Sequence, residues 1–376
     1  MSSTSVSLPR AGGPLLAYLH RGAEPSIETA FAGSLLTSLA LEVERAGFDL
    51  LVLDDEPRVE GAAPRVRLDP FTAASFIATR TRHLGLAVTA DAAYYEPFNL
   101  ARLTASLDHI THGRAALNLV HDPARAAAVN FGVRDRAAPA DPGRHAREFL
   151  HVVRALWDSW EDDAFLRDKA SGRFVDGAKI HAIAHRGEHF QVQGPLNVAR
   201  PPQGQLPLVH VERSPASRPW AAAEADVVVV AAGDEGGVRE AGQALRALAV
   251  REGRAANSPR VLAPIVPWVA DTPDEARRLR ARVASRPDAV AAIGTPDEIA
   301  ATLQAWVARG LADGFAVLPA PEAGQWPRFA EQVVPALARC GPIGPAAAGF
   351  APTLRGRLGL ARPANRHASL AQPVNG

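Results

Sequence analysis

Two adjacent carboxylates, Asp54 and Asp55, end the apolar run FDLLVLDD. A continuous apolar run is the pattern of a parallel strand buried on both faces, and the carboxyl end of such a strand opens on a ligand site in α/β folds. Two carboxylates placed there repel if both are buried, so one of them is expected to be solvated. Asp55 then either faces a ligand or caps a loop. Asn118, inside GRAALNLV, sits in a later apolar run. Its amide can donate to and accept from the edge of a pyrimidine-like ring, or serve as a buried structural amide. His121 and Asp122 follow, adding a group that titrates near neutral pH. LVHVERSPASR passes from a strand into a helix, a turn whose backbone N–H groups and positive dipole end suit a phosphate. His181, His185 and His189 recur every four residues, the spacing that aligns metal ligands on a helix. HAIAHRGEH contains a glycine and borders a strand-like piece, so a helix is not expected there and neither is a metal site. Tyr94 and Tyr95 read as packing residues.

These groups need a scaffold that gathers strand ends. After the strand GPLLAYLH, Leu35, Leu36, Leu39, Val43 and Ala46 recur at helical spacing until Gly47. FDLLVLDD, a helix over 69–81, HLGLAVTA, a helix opened by Pro97, and AALNLV continue the alternation. A stripe of Phe149, Val152, Val153, Leu156, Trp157 and Trp160 marks the fourth helix. From 161 to 205 the helical period disappears, and an insertion with a hairpin or extended arm is expected around HFQVQ. LPLVHV, ADVVVV, RVLAPIV and GFAVLPA then supply four more strands, separated by helical stretches that include two Thr-Pro-Asp-Glu starts. Thr272 and Thr295 suit N-caps there, with proline at the first helical position. Eight strands alternating with helices predict a (β/α)₈ TIM barrel over 1–340, with the insertion at 161–205 after the fourth helix. A doubly wound sheet is the other arrangement. The tail, 341–376, is rich in Pro, Gly, Ala and Arg and is expected to wrap the surface.

A chain of 376 residues, 47% of them hydrophobic, has material for a large core. Lys plus Arg number 41 against 40 Asp plus Glu, which leaves no basic footprint for nucleic acid or a membrane surface. The expected partner is a small molecule or another protein. One cysteine, Cys340, makes neither an internal disulfide nor a zinc cage, and without a recognisable leader a cytoplasmic location is expected. No apolar run approaches the roughly 20 residues that span a bilayer.

The segments YYEPFNLAR, ASLDHITHGRAALN, WDSWEDDAF and HRGEHFQVQGPLNVARPPQG resemble the nitrilotriacetate monooxygenase subgroup of the bacterial luciferase-like flavin monooxygenases. That subgroup includes the dibenzothiophene sulfone monooxygenase and the large subunit of pristinamycin synthase. The similarity runs from about Ala40 to Arg366. It implies reduced FMN, supplied by a separate NAD(P)H:flavin reductase, reacting with oxygen to oxygenate a small organic substrate, in a homo-oligomer. A deazaflavin used for hydride transfer is a related alternative. The resemblance also implies cofactor contacts. Asp55 would lie near the ring or ribityl chain and Asn118 near the ring, Ala92 stands where the family has a hydroxyl residue, and Ser214 matches the phosphate-binding serine. No residue is assigned as catalytic acid or base.

The departures from the family pattern bear on function. Glu212 replaces a glycine two residues before Ser214, and Pro139 and Gly143 replace a histidine and a tyrosine unless a local gap brings His145 into place. Each lost charge-assisted hydrogen bond forfeits roughly 1.5–3 kcal/mol. Glu212 is expected to occupy the phosphate cradle and compete with the ligand, which opens the alternative of a degenerate barrel with weak or no flavin binding, acting as a binding or scaffold subunit. The insert that relatives carry before GTPDEIA is almost absent between Ala284 and Gly294, so part of the site's cover is expected to be missing. No GxGxxG strand-turn-helix unit for a nicotinamide cofactor is present.

Overall fold

The computed structural model describes residues 14–20, 32–58, 67–121, 127–131, 141–284, 286–339 and 351–368. Its strands and helices alternate: β1 (Leu15–His20), α1 (Gly33–Arg45), β2 (Leu50–Leu53), α2 (Pro70–Ala78), β3 (Gly85–Asp91), α3 (Pro97–Ile110), β4 (Ala115–Val120) and α4 (Pro142–Trp157). Two hairpins follow, β5 (Phe165–Asp168) with β6 (Arg173–Val175) and β7 (His185–Arg186) with β8 (Gln191–Val192). The alternation resumes with β9 (Leu208–Val211), α5 (Arg218–Glu224), β10 (Val227–Val229), α6 (Glu235–Arg251), β11 (Arg260–Val269), α7 (Pro273–Ala281), β12 (Val290–Gly294), α8 (Pro296–Ala308) and β13 (Gly314–Val317).

The strand order is β10-β9-β4-β3-β2-β1-β13-β11, every pairing is parallel, and β10 pairs with β11. The ring is therefore closed, and the expected TIM barrel is the fold. A doubly wound sheet would keep two open edges. The short β12 was not expected; it pairs with the second half of β11, Ile265 opposite Val290 through Val269 opposite Gly294.

Period-two alternation divides the core. Leu15, Ala17 and Leu19 of β1 join Leu50, Val52, Ala87, Ala116 and Val209 inside the barrel, where alanines leave room for the larger neighbours. Their alternates Leu16, Tyr18, Leu51, Leu86 and Val88 pack outward against the helices with Ile77, Leu100 and Phe149. The strands read as continuous apolar runs because both faces are buried.

The tail departs from expectation in part. Residues 359–368 stay largely on the surface as expected, but the start of the tail turns inward: Leu354 and Leu358 belong to the interior cluster, and Leu354 N–H donates to Gly113 O at 2.8 Å. A Cβ at Gly85 would meet Leu354 Cδ1 at 2.8 Å and the Asp49 carbonyl oxygen at 2.9 Å, so the first residue of β3 must be small for the tail to seat. A short helix, α9 (Leu354–Arg357), capped by Thr353, thus plugs the amino-terminal floor of the barrel. With the floor filled, ligands are left with the opposite mouth. Cys340 and Pro139 lie outside the described residues.

Candidate active site

At the carboxyl end of β2 the two aspartates diverge. The Asp54 side chain is only 8% exposed, and its Oδ1 accepts from Arg213 Nη2 at 3.1 Å. The same guanidinium nitrogen donates to the Asp55 carbonyl oxygen at 2.6 Å. The expected repulsion is therefore met by a cation from the turn after β9, and Asp54 is not the solvated partner. Burial raises the Asp55 carboxyl above its ordinary range, with Asp54 and Asp69 adding to the rise and Arg67 opposing it. His20, at the end of β1, is lowered by burial and by Arg67, against Asp54.

Asn118 is fully buried. Its Nδ2 donates to Thr89 Oγ1 of β3 at 2.8 Å, and its Oδ1 accepts from Val211 N–H of β9 at 3.0 Å. One side chain thereby ties three adjacent barrel strands, which is the structural-amide alternative. Ala92 is buried just past β3, its N–H donating to Val120 O at 2.9 Å.

The turn after β9 carries the largest surprise. Glu212 does not enter the Ser214 turn. Its side chain is 1% exposed, Oε1 accepts from Arg218 Nε at 2.7 Å, and Oε2 accepts from Ala231 N–H beyond β10 at 3.2 Å. The expected competition with a phosphate is thus corrected: a carboxylate whose oxygens are engaged by a guanidinium and a neighbouring loop has no reason to turn back toward the cradle. Ser214 Oγ accepts from Ala216 N–H at 3.3 Å and stays partly exposed.

Ser214 lines a cavity of about 430 Å³ with Arg144, Arg147, Arg213, Ser217 and Trp220. Asp141 caps α4 by accepting from Gly143 and Arg144 N–H, at 2.9 and 3.1 Å, and so sets the first two turns from which Arg144 and Arg147 project. His145 does not replace the missing phosphate ligand; its ring packs on His189 and Phe190 of the insertion at 5.1 and 4.9 Å. Arg144 and Arg147 were missed because a charged helix start looks like a solvated face in sequence, and Arg213 because it stands alone in a turn.

His210 forms the wall behind Ser217. Burial holds its imidazole down at about 4, so the ring is neutral. Nδ1–H then donates to Leu119 O at 3.0 Å, which leaves Nε2, 2.8 Å from Ser217 Oγ, as an acceptor. His121 packs edge-on to Trp220 at 5.2 Å and near His210 at 6.1 Å, so the two histidines border the same cavity. Asp122 lies outside the described residues.

The histidine triplet is dispersed. His181 bonds Glu161 at 2.7 Å and His185 bonds Glu148 at 3.0 Å, while His189 sits by the β7–β8 turn. Among the described residues no group of three His, Cys, Asp or Glu is placed to hold a metal. Among them, too, no helix is long and apolar enough to cross a membrane.

The mouth holds two further depressions. One, of about 350 Å³, is polar and lined by Asp54, Arg67, Glu212, Arg213 and Asp288. The other, of about 750 Å³, lies at the ends of β1, β11 and β13. Flanked by them, Asp55 and the arginine cavity make a mouth that can take a long, partly polar cofactor beside an apolar substrate.

A closed parallel barrel with its floor plugged and three cavities at its mouth belongs to the class of TIM barrels that bind ligands at the strand carboxyl ends, and comparison narrows the class. The model of the luciferase-like monooxygenase family matches residues 17–289. The N-acetyl-S-(2-succino)cysteine monooxygenase of Bacillus subtilis (strain 168) is 31% identical, over 88% of this chain and 90% of that protein. Nitrilotriacetate monooxygenase component A of Aminobacter aminovorans is 35% identical, over 83% of this chain and 82% of that one. The crystal structure of a riboflavin lyase with modified FMN and substrate riboflavin superposes with a TM-score of 0.81 at 26% identity, covering 94% of this chain and 98% of that one. The chain belongs to the luciferase-like monooxygenase family and is a flavin-dependent enzyme of that family, within the subgroup its sequence resembles.

Proposed function

We propose that the protein is the oxygenating component of a two-component system that uses reduced FMN made by a separate NAD(P)H:flavin reductase. The observation that carries this reading is the cavity that joins Ser214 to Arg144, Arg147 and Arg213. Arg144 and Arg147 beside one partly exposed hydroxyl fit a phosphate dianion and stand in for the histidine and tyrosine that the sequence lacks, while Arg213, paired with Asp54, adds a compensated cation to the wall. Arg144 and Arg147 each have an acidic neighbour, Glu188 at 2.6 Å and Glu224 at 3.8 Å. Glu188 and Arg144 are both largely exposed, so that pair is weak and readily exchanged for a ligand.

The bound flavin would supply two electrons and activate O2, with one oxygen atom going to the substrate and the other leaving as water. The chain's own contribution is positional. Ser214 and the arginines hold the phosphate end, and Asp55 and Ala92 border the path toward the ring. Asn118 supports that path from inside the wall by holding β3, β4 and β9 in register. The scaffold-subunit alternative rested on Glu212, Ala92 and Gly143, and it loses the first of these supports once the carboxylate is engaged by Arg218. A homo-oligomer acting on a small organic substrate completes the reading.

Without a nicotinamide-binding unit, the purified protein should consume no NADH alone, and should consume oxygen only when a flavin reductase, NADH and FMN are added with an acceptor substrate. Sustained NADH oxidation in the absence of reductase contradicts the two-component assignment.

A further inference from the structure

The cavity at the ends of β1, β11 and β13 has a lining of one chemical type. Tyr18, Leu19, Leu39, Val266, Trp268 and Leu318 give it apolar walls, and the charge-bearing side chains on it are the cations Arg280 and Arg286 together with the titratable His20. No Asp or Glu is among its described lining residues. The two arginines are not equivalent. Arg286 is clamped by Asp288 through Nε and Nη2, both at 3.1 Å, and is largely neutralised there. Arg280 has no carboxylate partner among the described residues: its Nη1 donates to Val283 O at 2.6 Å, and its guanidinium lies 5.9 Å from the Trp268 ring centroid. The carbonyl and the indole fix the guanidinium in direction without cancelling its charge.

A held, uncompensated cation on the edge of an apolar cavity is a receptor for one anionic group on an apolar body. The volume, about 750 Å³, lies inside the range of small-molecule sites, roughly 300–1,000 Å³. The short link from Ala284 to β12 leaves Arg280 and Arg286 on this cavity, where a longer insert would cover it. We propose that this cavity is the substrate site and that it selects organic monoanions, carboxylates or sulfonates with an aromatic or branched apolar body, through Arg280. The assignment of the anion to a substrate rests on the flavin reading above, because the cofactor phosphate is given to the separate arginine cavity. Trp268 backs the apolar wall and holds Arg280 in place, Arg280 takes the anion, and Asp288 keeps Arg286 from adding a second full charge.

The probe pair is 2-naphthoate and its neutral isostere 2-naphthamide, titrated by calorimetry into the full-length protein without flavin. The parent should bind the acid about tenfold or more tightly than the amide, the discrimination expected of one charge-assisted contact. Arg280→Gln should bring the acid down to the amide's affinity while the amide changes less than about twofold, which shows that the apolar walls remain folded. Arg147→Gln, in the other cavity, should leave both affinities unchanged. Equal affinity for acid and amide in the parent, no binding of either at millimolar concentration, or selectivity abolished by Arg147→Gln and kept by Arg280→Gln would each overturn the proposal. None of these outcomes touches the flavin reading, which stands on the separate comparison of FMN with riboflavin.

Discussion

Asn118→Ala should lower the stability of the fold by about 2–4 kcal/mol, as judged by the urea midpoint at unchanged slope. The amide spans β3, β4 and β9, so truncation removes two buried hydrogen bonds and leaves Thr89 Oγ1 and Val211 N–H without their partner inside a fully packed wall. A net hydrogen bond contributes about 1 kcal/mol, and a stranded buried group costs about 1–3 kcal/mol more. Flavin affinity, measured where the variant is still folded, should change less than about threefold, because an amide at zero exposure does not touch the ring. A large loss of flavin affinity at unaltered stability would restore Asn118 as a direct contact.

Arg218→Ala should be the most damaging single change in the turn after β9. The Glu212 carboxylate is almost wholly enclosed, and its other contact among the described residues is the N–H of Ala231. Removing one partner of a buried pair costs roughly 3–5 kcal/mol because the remaining charge is stranded. Glu212→Gly should also destabilise, by less, since Arg218 is 18% exposed and water can reach it. Neither change should tighten FMN relative to riboflavin. If Glu212→Gly leaves the unfolding midpoint in place and raises FMN affinity alone, the carboxylate does face the phosphate.

The barrel was legible because its signal is distributed: each strand is an apolar run followed by a helical stretch, and Thr272 and Thr295 cap α7 and α8 as their Thr-Pro-Asp-Glu starts predict. The hairpins of the insertion were legible only as a loss of helical period around HFQVQ, since the strands that pair there are two to four residues long. β12 was hidden because VAAIG is short and is followed at once by a strong helix start. The buried start of the tail was missed because Leu354 and Leu358 stand among Arg and Gly, a surface composition, and only the closed barrel reveals an apolar floor to receive them.

At the site, residue types pointed to the right strand ends but not to side-chain direction. Asp55 and Ser214 do meet at one mouth, joined through Arg213, which lines the Ser214 cavity and bonds the Asp55 backbone. Glu212 was assigned by its distance from Ser214 in sequence, yet both residues lie past the end of β9, where period-two alternation no longer fixes side-chain direction, and the ion pair with Arg218 lies across the turn. Arg144 and Arg147 carry no motif at all. Three residues apart on the first two turns of α4, they share a face only once Asp141 has capped the helix.

The central claim is that the arginine cavity, and not a family-like set of hydroxyl and histidine ligands, holds the phosphate of the flavin. The direct measurement is an anaerobic titration of the protein with reduced FMN and with reduced riboflavin, repeated with Arg147→Ala. Two charge-assisted contacts at roughly 1.5–3 kcal/mol each predict that the parent binds reduced FMN about 100-fold or more tightly than reduced riboflavin. Arg147→Ala should remove about tenfold or more of that preference while riboflavin binding stays the same. Equal binding of the two flavins by the parent, or a preference untouched by Arg147→Ala, would contradict the account.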